Sequence, residues 1–309
     1  MSGFSLERLV ALLRERASPP GAPIEALRRD HDRAVRKVPI ADGVQLIRVQ
    51  SDGGPLEWLV PSGPSRQEVL LWFHGGGFGM GSSATARGMV SYLAAMTGAR
   101  GATLEYRLAP EFPYPAAVKD AQAAYRWLLV EQGVEPTKLV VGGDSAGGGL
   151  ALAALASLRD AGYPMPVGAL FFSPWVDLSL SASSLTANAA TDPQVNRAGL
   201  EAMAARYLGG VDPRSPYVSP LFGNLAGLPP LFIQVGGAEA LLDDSVRFAS
   251  AAAGAGCEVV LEQWPNMIHV WQAFAPGLAD GTAALERAAQ WLKERWEQSP
   301  HRASDAAEM

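Results

Sequence analysis

Eight short apolar runs, most of them separated by stretches with helical spacing, constrain this chain more than any other feature. They fall at Gln45–Val49, Glu57–Val60, Val69–Phe73, Ala102–Tyr106, Lys138–Val141, Ala169–Phe172, Leu231–Val235 and Glu258–Glu262, each bounded by turn or helix signals. A continuous apolar run of strand length is the pattern of a strand covered on both faces. Strands that alternate with helices predict an α/β fold, a mostly parallel sheet with helices on both faces. The first two runs lie close enough to form an antiparallel hairpin. Helices are expected over Ala116–Glu131, Ala146–Asp160, Asp244–Ala255 and Thr282–Glu297. Two segments break the alternation: the charged first 40 residues, and Leu178–Tyr217, rich in Ala, Ser and Asn. Both are expected outside the sheet as a lid. The chain therefore divides into an N-terminal cap segment at 1–40, an α/β core at 41–177 and 218–297, a cap insertion at 178–217, and a polar tail at 298–309.

Charge and cysteine usage narrow the classes of partner. Lys and Arg total 25 against 31 for Asp and Glu, a formal charge of -6, which argues against a nucleic-acid backbone as the partner. The single cysteine, Cys257, excludes an internal disulfide and fits a reducing, cytoplasmic compartment. Near the N-terminus the apolar run is broken by Arg14, Glu15 and Arg16, so it reads as an amphipathic helix and not a signal peptide. No stretch reaches the roughly 18 apolar residues of a membrane span, so no membrane partner is expected.

The chemistry enters at Gly143-Asp144-Ser145-Ala146-Gly147, which follows an apolar run and opens an Ala-rich helical pattern. A G-x-S-x-G sequence at a strand-to-helix turn thrusts the serine away from the backbone, and the helix N-terminus offers amides to a developing oxyanion. The competing reading is a glycine-rich turn whose serine merely caps the helix. Upstream, His74-Gly75-Gly76-Gly77-Phe78 follows the run VLLWF. Consecutive glycines there can present unobstructed N–H groups to a bound carbonyl, together with the Ala146 amide. A phosphate cradle would need G-K-[ST] or a spaced G-x-G-x-x-G, and the loop has neither. His74, at the loop's entry, is expected to shape the loop by bonding its backbone.

A serine hydroxyl needs a neighbouring imidazole to become nucleophilic. Of four histidines, His301 lies in the tail, His31 in the charged run RRDHDRAVRK, and His74 in the glycine loop. His269 lies in a loop after the last strand and before the final helix, the position at which the order serine, acid, histidine places a base. The acid belongs after Leu231–Val235, where Glu239, Asp243 and Asp244 are available. The two aspartates precede an apolar helix whose amides they could cap. Glu239 has no such alternative role and is the first choice, with Asp243 second.

With these residues in view, the chain resembles the bacterial hormone-sensitive-lipase-like esterases, family IV of the α/β-hydrolase superfamily. HGGGF at 74–78, YRLAPEFPYPAAVKD at 106–120, GDSAGG at 143–148 and the His269 loop match in order. The resemblance implies an α/β-hydrolase fold with a helical cap, and a cofactor-free, metal-free serine carboxylesterase acting on small esters of short to medium acyl chain. It implies Ser145 as nucleophile, His269 as base, and Gly76, Gly77 and Ala146 as oxyanion donors, with Gly75 beside them. The family's acid is commonly the first Asp of D-P-L-x-D. That stretch aligns with Glu239-Ala-Leu-Leu-Asp243, where glutamate replaces aspartate and the proline is missing. Phe78, Trp271 and the cap insertion are candidates for the acyl or alcohol pocket. Arg107, Glu111 and Asp177 resemble structural polar residues, each expected to have a partner. Relatives often pair as homodimers near the edge strand, here 258–262. An amidase, thioesterase or lactonase could use the same residues, and a receptor on this scaffold would bind a ligand without turning it over.

Overall fold

The computed structural model describes residues 3–17, 21–35, 38–63 and 66–298. Its centre is a sheet of eight strands: β1 (Val44–Ser51), β2 (Gly54–Pro61), β3 (Val69–Phe73), β4 (Arg100–Leu104), β5 (Leu139–Asp144), β6 (Gly168–Phe172), β7 (Leu231–Gly236) and β8 (Val259–Trp264). Their spatial order is β1-β2-β4-β3-β5-β6-β7-β8. β1 and β2 form the expected antiparallel hairpin, β2 runs antiparallel to β4, and every later pairing is parallel. β3 and β6 are buried at every position, as strands with helices on both faces must be. β8 ends the order and is the sheet edge.

Nine helices are described: α1 (Leu6–Glu15), α2 (Ile24–Val35), α3 (Ser83–Thr97), α4 (Ala116–Val130), α5 (Ala146–Asp160), α6 (Ser184–Ala187), α7 (Arg197–Leu208), α8 (Leu242–Gly254) and α9 (Ala279–Glu297). The two-residue period of the strands divides the core between the faces. Leu71, Phe73, Val141, Phe171 and Ile233 pack with Ala121 and Leu128 of α4, Leu150 and Leu155 of α5 and Phe248 of α8. Leu70, Trp72, Val140, Phe172 and Phe232 pack with Val90 and Leu93 of α3 and Leu285 and Leu292 of α9. No described helix is long and apolar enough to cross a membrane.

α3 is a helix that the apolar spacing does not announce. Its residues SATARGMVSYLAAMT are small and mixed, and Ser83, Thr85, Ser91 and Thr97 are buried beside Met89, Val90 and Leu93. A helix buried on several faces carries no polar stripe from which a 3.6-residue period could be read. Between β6 and β7 the chain leaves the sheet and forms α6 and α7, while α1 and α2 precede β1. Arg14 beyond the middle of α1 donates to the Ala190 carbonyl, 2.7 Å away, which ties the first segment to the insertion. The polar tail expected at 298–309 lies, beyond Gln298, outside the described residues.

Candidate active site

Three loops at the carboxyl ends of parallel strands carry the residues singled out above: Ser145 after β5, Glu239 after β7 and His269 after β8. In an open α/β sheet this is the end at which ligands bind. Ser145 stands between β5 and α5 at φ 54° and ψ -124°, a conformation that strains any residue bearing a Cβ. The turn is held from both sides, because the Ser145 amide donates to the Phe172 carbonyl and the Ser145 carbonyl accepts from Trp175, both at 2.9 Å. Its hydroxyl does not cap α5. The helix crosses β3 so closely that a Cβ on Gly147 would stand 2.0 Å from the Phe73 carbonyl oxygen. The small flanks of the serine are thus a packing requirement.

The glycine loop lies against this turn. Gly76 and Gly77 adopt φ of 118° and 60°, the left-handed side that glycine enters without penalty. Among the described residues, the Gly76, Gly77 and Ala146 amides donate no hydrogen bond. Gly75 departs from expectation. Its amide donates to Asp144 Oδ2 at 3.0 Å and is committed to holding the loop, so it is withdrawn as an oxyanion donor. The other oxygen of Asp144 accepts from Trp72 Nε1 at 2.9 Å. Burial, opposed by these bonds, pushes the Asp144 carboxyl up to about 6. His74 shapes the loop as expected: its ring stacks on Tyr106 at 4.2 Å, and Nδ1 lies 2.8 Å from the Gly75 carbonyl. Since a carbonyl only accepts, Nδ1 carries the proton. Burial drives the His74 pKa down to about 3, which keeps the ring neutral.

His269 and Glu239 come together, with Nδ1 3.1 Å from Oε1. Glu239 is fully buried, and its second oxygen accepts from Ser173 Oγ at 2.7 Å and the Gly236 amide at 2.8 Å. A carboxylate can only accept, so it fixes the His269 proton on Nδ1 and leaves Nε2 as the basic nitrogen. Asp243 is engaged elsewhere, accepting from the Ser184 amide at 2.9 Å and from Ser183 Oγ. Asp244 accepts from the amides of Val176 and Asp177 at 2.9 and 3.0 Å. Neither aspartate spends these bonds on α8, so the helix-capping role expected of them is replaced by one of tying α8 to the loop after β6 and to α6.

Burial pulls the His269 pKa down, but the Glu239 carboxylate, by charge and by hydrogen bond, with Asp192 and Asp144 behind it, leaves it raised above 6.5. The group acts as a base only when neutral. Activity is therefore expected to rise with pH through a midpoint above 6.5, the unperturbed value. A pH profile of kcat/KM checks this, and an acid limb at or below 6.5 would contradict it.

The two aromatic pocket candidates prove to be packing residues. Phe78 is 1 % exposed and stacks on Tyr207 of α7 at 3.9 Å. Trp271 is fully buried in a cluster with Leu9 of α1, Met267 and Ile268, and its Nε1 donates to the Asp280 carbonyl. Met203 of α7, whose Cγ lies 2.9 Å from where a Cβ on Gly77 would stand, is the side chain over the glycine loop. The polar residues have the expected partners: Arg107 pairs with Asp120 at 2.6 Å, Glu111 with Arg28 at 2.7 Å and Asp177 with Arg247 at 3.0 Å. Asp144 and Ser173 were not singled out from the sequence, since each acts through a partner distant in the chain. The local sign for Ser173 is its place at the end of an apolar strand, where it takes a φ of 49°.

The comparisons with known proteins identify the fold and the family. A protein family described as having the alpha/beta hydrolase fold matches residues 70–273. An acetyl-hydrolase of Streptomyces hygroscopicus is 48% identical over 239 residues, covering 77% of this chain and 79% of that protein. Among solved structures, an esterase from the bacterial hormone-sensitive lipase family superimposes with a TM-score of 0.91 at 44% identity, over 94% of this chain and 98% of that one. EstE5, solved after a soak with p-nitrophenyl butyrate, matches with a TM-score of 0.89 at 45% identity over the same shares of the two chains.

Proposed function

Because the chain belongs to the bacterial hormone-sensitive-lipase-like carboxylesterases of the α/β-hydrolase fold, and is thereby a carboxylic ester hydrolase, we propose that it works through Ser145, His269 and Glu239 on small esters of short to medium acyl chain. The observation that carries the reading is the pairing of a buried Glu239–His269 couple with a serine on a strained turn, all at one end of the parallel sheet. His269 Nε2 takes the Ser145 proton as the hydroxyl oxygen attacks the ester carbonyl carbon. The oxyanion is received by the amides of Gly76, Gly77 and Ala146. On collapse, the alcohol leaves with the proton from His269, and the acyl group stays on Ser145. Water, deprotonated by the same imidazole, then releases the acid. Glu239 holds the tautomer and stabilises the imidazolium.

Residues 1–40 and 178–217 form the cap over a core of 41–177 and 218–297 in this reading. It is supported by α7, whose Tyr207 and Met203 lean on the glycine loop, and by the Arg14 bond to Ala190. The four-carbon acyl group soaked into EstE5 suits the same substrate class. A panel of p-nitrophenyl butyrate, the matching anilide, a thioester and a lactone tests the reaction class. The ester is expected to turn over at least about 100-fold faster than the anilide, whose amide is the less reactive acyl donor. Preference for the anilide would overturn the assignment.

A further inference from the structure

The insertion does more than lie over the sheet, because residues 188–195 bond to the loops that carry both the acid and the base. Asn188 Nδ2 donates to the Glu239 carbonyl at 2.8 Å and to the Gly237 carbonyl at 3.2 Å. Thr191 Oγ1 donates to the Ala238 carbonyl at 2.9 Å. Asp192 Oδ2 accepts from the amide of Ala240, the residue after Glu239, at 2.8 Å. Its other oxygen accepts from the amides of Gln194 and Val195 at 2.8 and 2.9 Å, which rigidifies the segment itself. Gln194 Nε2 then donates to the His269 carbonyl at 2.7 Å. One short segment thus bonds to residues 237–240 and to residue 269, and Arg14 braces it from α1 through the Ala190 carbonyl.

We propose that residues 188–195 are a strut from the insertion that sets the separation of Glu239 and His269, with Asp192 as the positioning residue at its centre. The inference rests on the assignment of those two residues as acid and base. Asp192 is only 8 % exposed, and the hydrogen bonds to its carboxylate come from three backbone amides. A buried carboxylate is costly unless donors satisfy it, and three amides aimed at one carboxylate form a built site for that charge. The placement gives Asp192 an electrostatic role as well. The carboxylates that act on His269 are Glu239 from the loop after β7, Asp192 from the insertion and Asp144 from the end of β5, and each favours the imidazolium that forms in the reaction.

Charge and anchorage are separable by substitution. Asp192→Asn removes the charge and at least one anchoring bond, whereas Asp192→Glu keeps the charge and displaces the carboxylate. With p-nitrophenyl butyrate, Asp192→Asn is expected to move the acid limb of kcat/KM to lower pH. Above that limb it should lower kcat about tenfold while KM stays within about threefold, because displaced catalytic groups cost rate more than binding. Asp192→Glu should lower kcat with the limb at its wild-type position. A role confined to folding would lower thermal stability without moving the limb, and that pattern, or a wild-type profile for Asp192→Asn, overturns the proposal. If Asp192→Asn does not fold, Gln194→Leu decides: kcat falls with KM held, or the strut is wrong. Full activity in His269→Ala or Glu239→Gln would instead defeat the underlying acid and base assignment, so the two failures are distinguishable.

Discussion

Ser145→Ala is expected to lower kcat/KM for p-nitrophenyl butyrate by about 10⁴-fold or more, the scale set by loss of a nucleophile whose oxyanion donors remain. Stability should hardly change. The substitution keeps the Cβ that makes φ 54° unfavourable and removes only a hydroxyl that caps nothing in α5. The urea midpoint should therefore correspond to a change within about 0.5 kcal/mol, as for a substitution that makes no cavity and breaks no buried bond. Retention of more than a few per cent of activity would contradict the role of Ser145. Loss of activity accompanied by unfolding would leave a role in folding as the better account.

Glu239→Gln is expected to be nearly as damaging, with kcat falling on the order of 10³- to 10⁴-fold, for a reason that lies in the donors around the side chain. One oxygen of Glu239 already accepts from Ser173 Oγ and the Gly236 amide. A glutamine must turn its carbonyl toward those two donors, which leaves its NH₂ facing His269 Nδ1. That nitrogen must then be bare, and the proton moves to Nε2, where it blocks base catalysis. Asp243→Asn is the control. Asp243 bonds Ser183 and Ser184 and has no bond to His269, so its loss should change kcat by less than about threefold. Steady-state kinetics of both variants decide between the two acids, and the reverse ranking would reassign the role.

Much of this candidate site is legible in the sequence, because its parts are local signals. The run Val69–Phe73 is β3 to the residue, and the Ala-rich pattern after Ser145 is α5 over the same limits. Ser145 and His269 are read from the order of strands and loops, and Glu239 from its alignment with the family's usual aspartate; in the structure it is Glu239 that bonds His269, while the two aspartates a few residues on bond Ser184 and Val176. What the sequence did not display depends on bonds between distant segments. Asp144 meets Gly75 and Trp72 across 69 and 72 residues. Ser173 reaches Glu239 across 66, and Gln194 reaches His269 across 75. A polar residue in a loop carries no mark of such a partner until topology brings the loops to one end of the sheet. The aromatic candidates failed for a related reason. Phe78 and Trp271 lie next to site motifs, but nearness in sequence says nothing of which face of the loop they occupy, and both pack inward.

The account turns on Ser145 being the atom that the acyl group reaches. Intact-protein mass spectrometry after treatment with an organophosphate, followed by peptide mapping, reads this directly. One phosphoryl adduct per chain on Ser145, formed in step with loss of ester hydrolysis and absent from Ser145→Ala, is the predicted result. An adduct on another residue that tracks the loss of activity, or full inactivation with Ser145 unmodified, would contradict it.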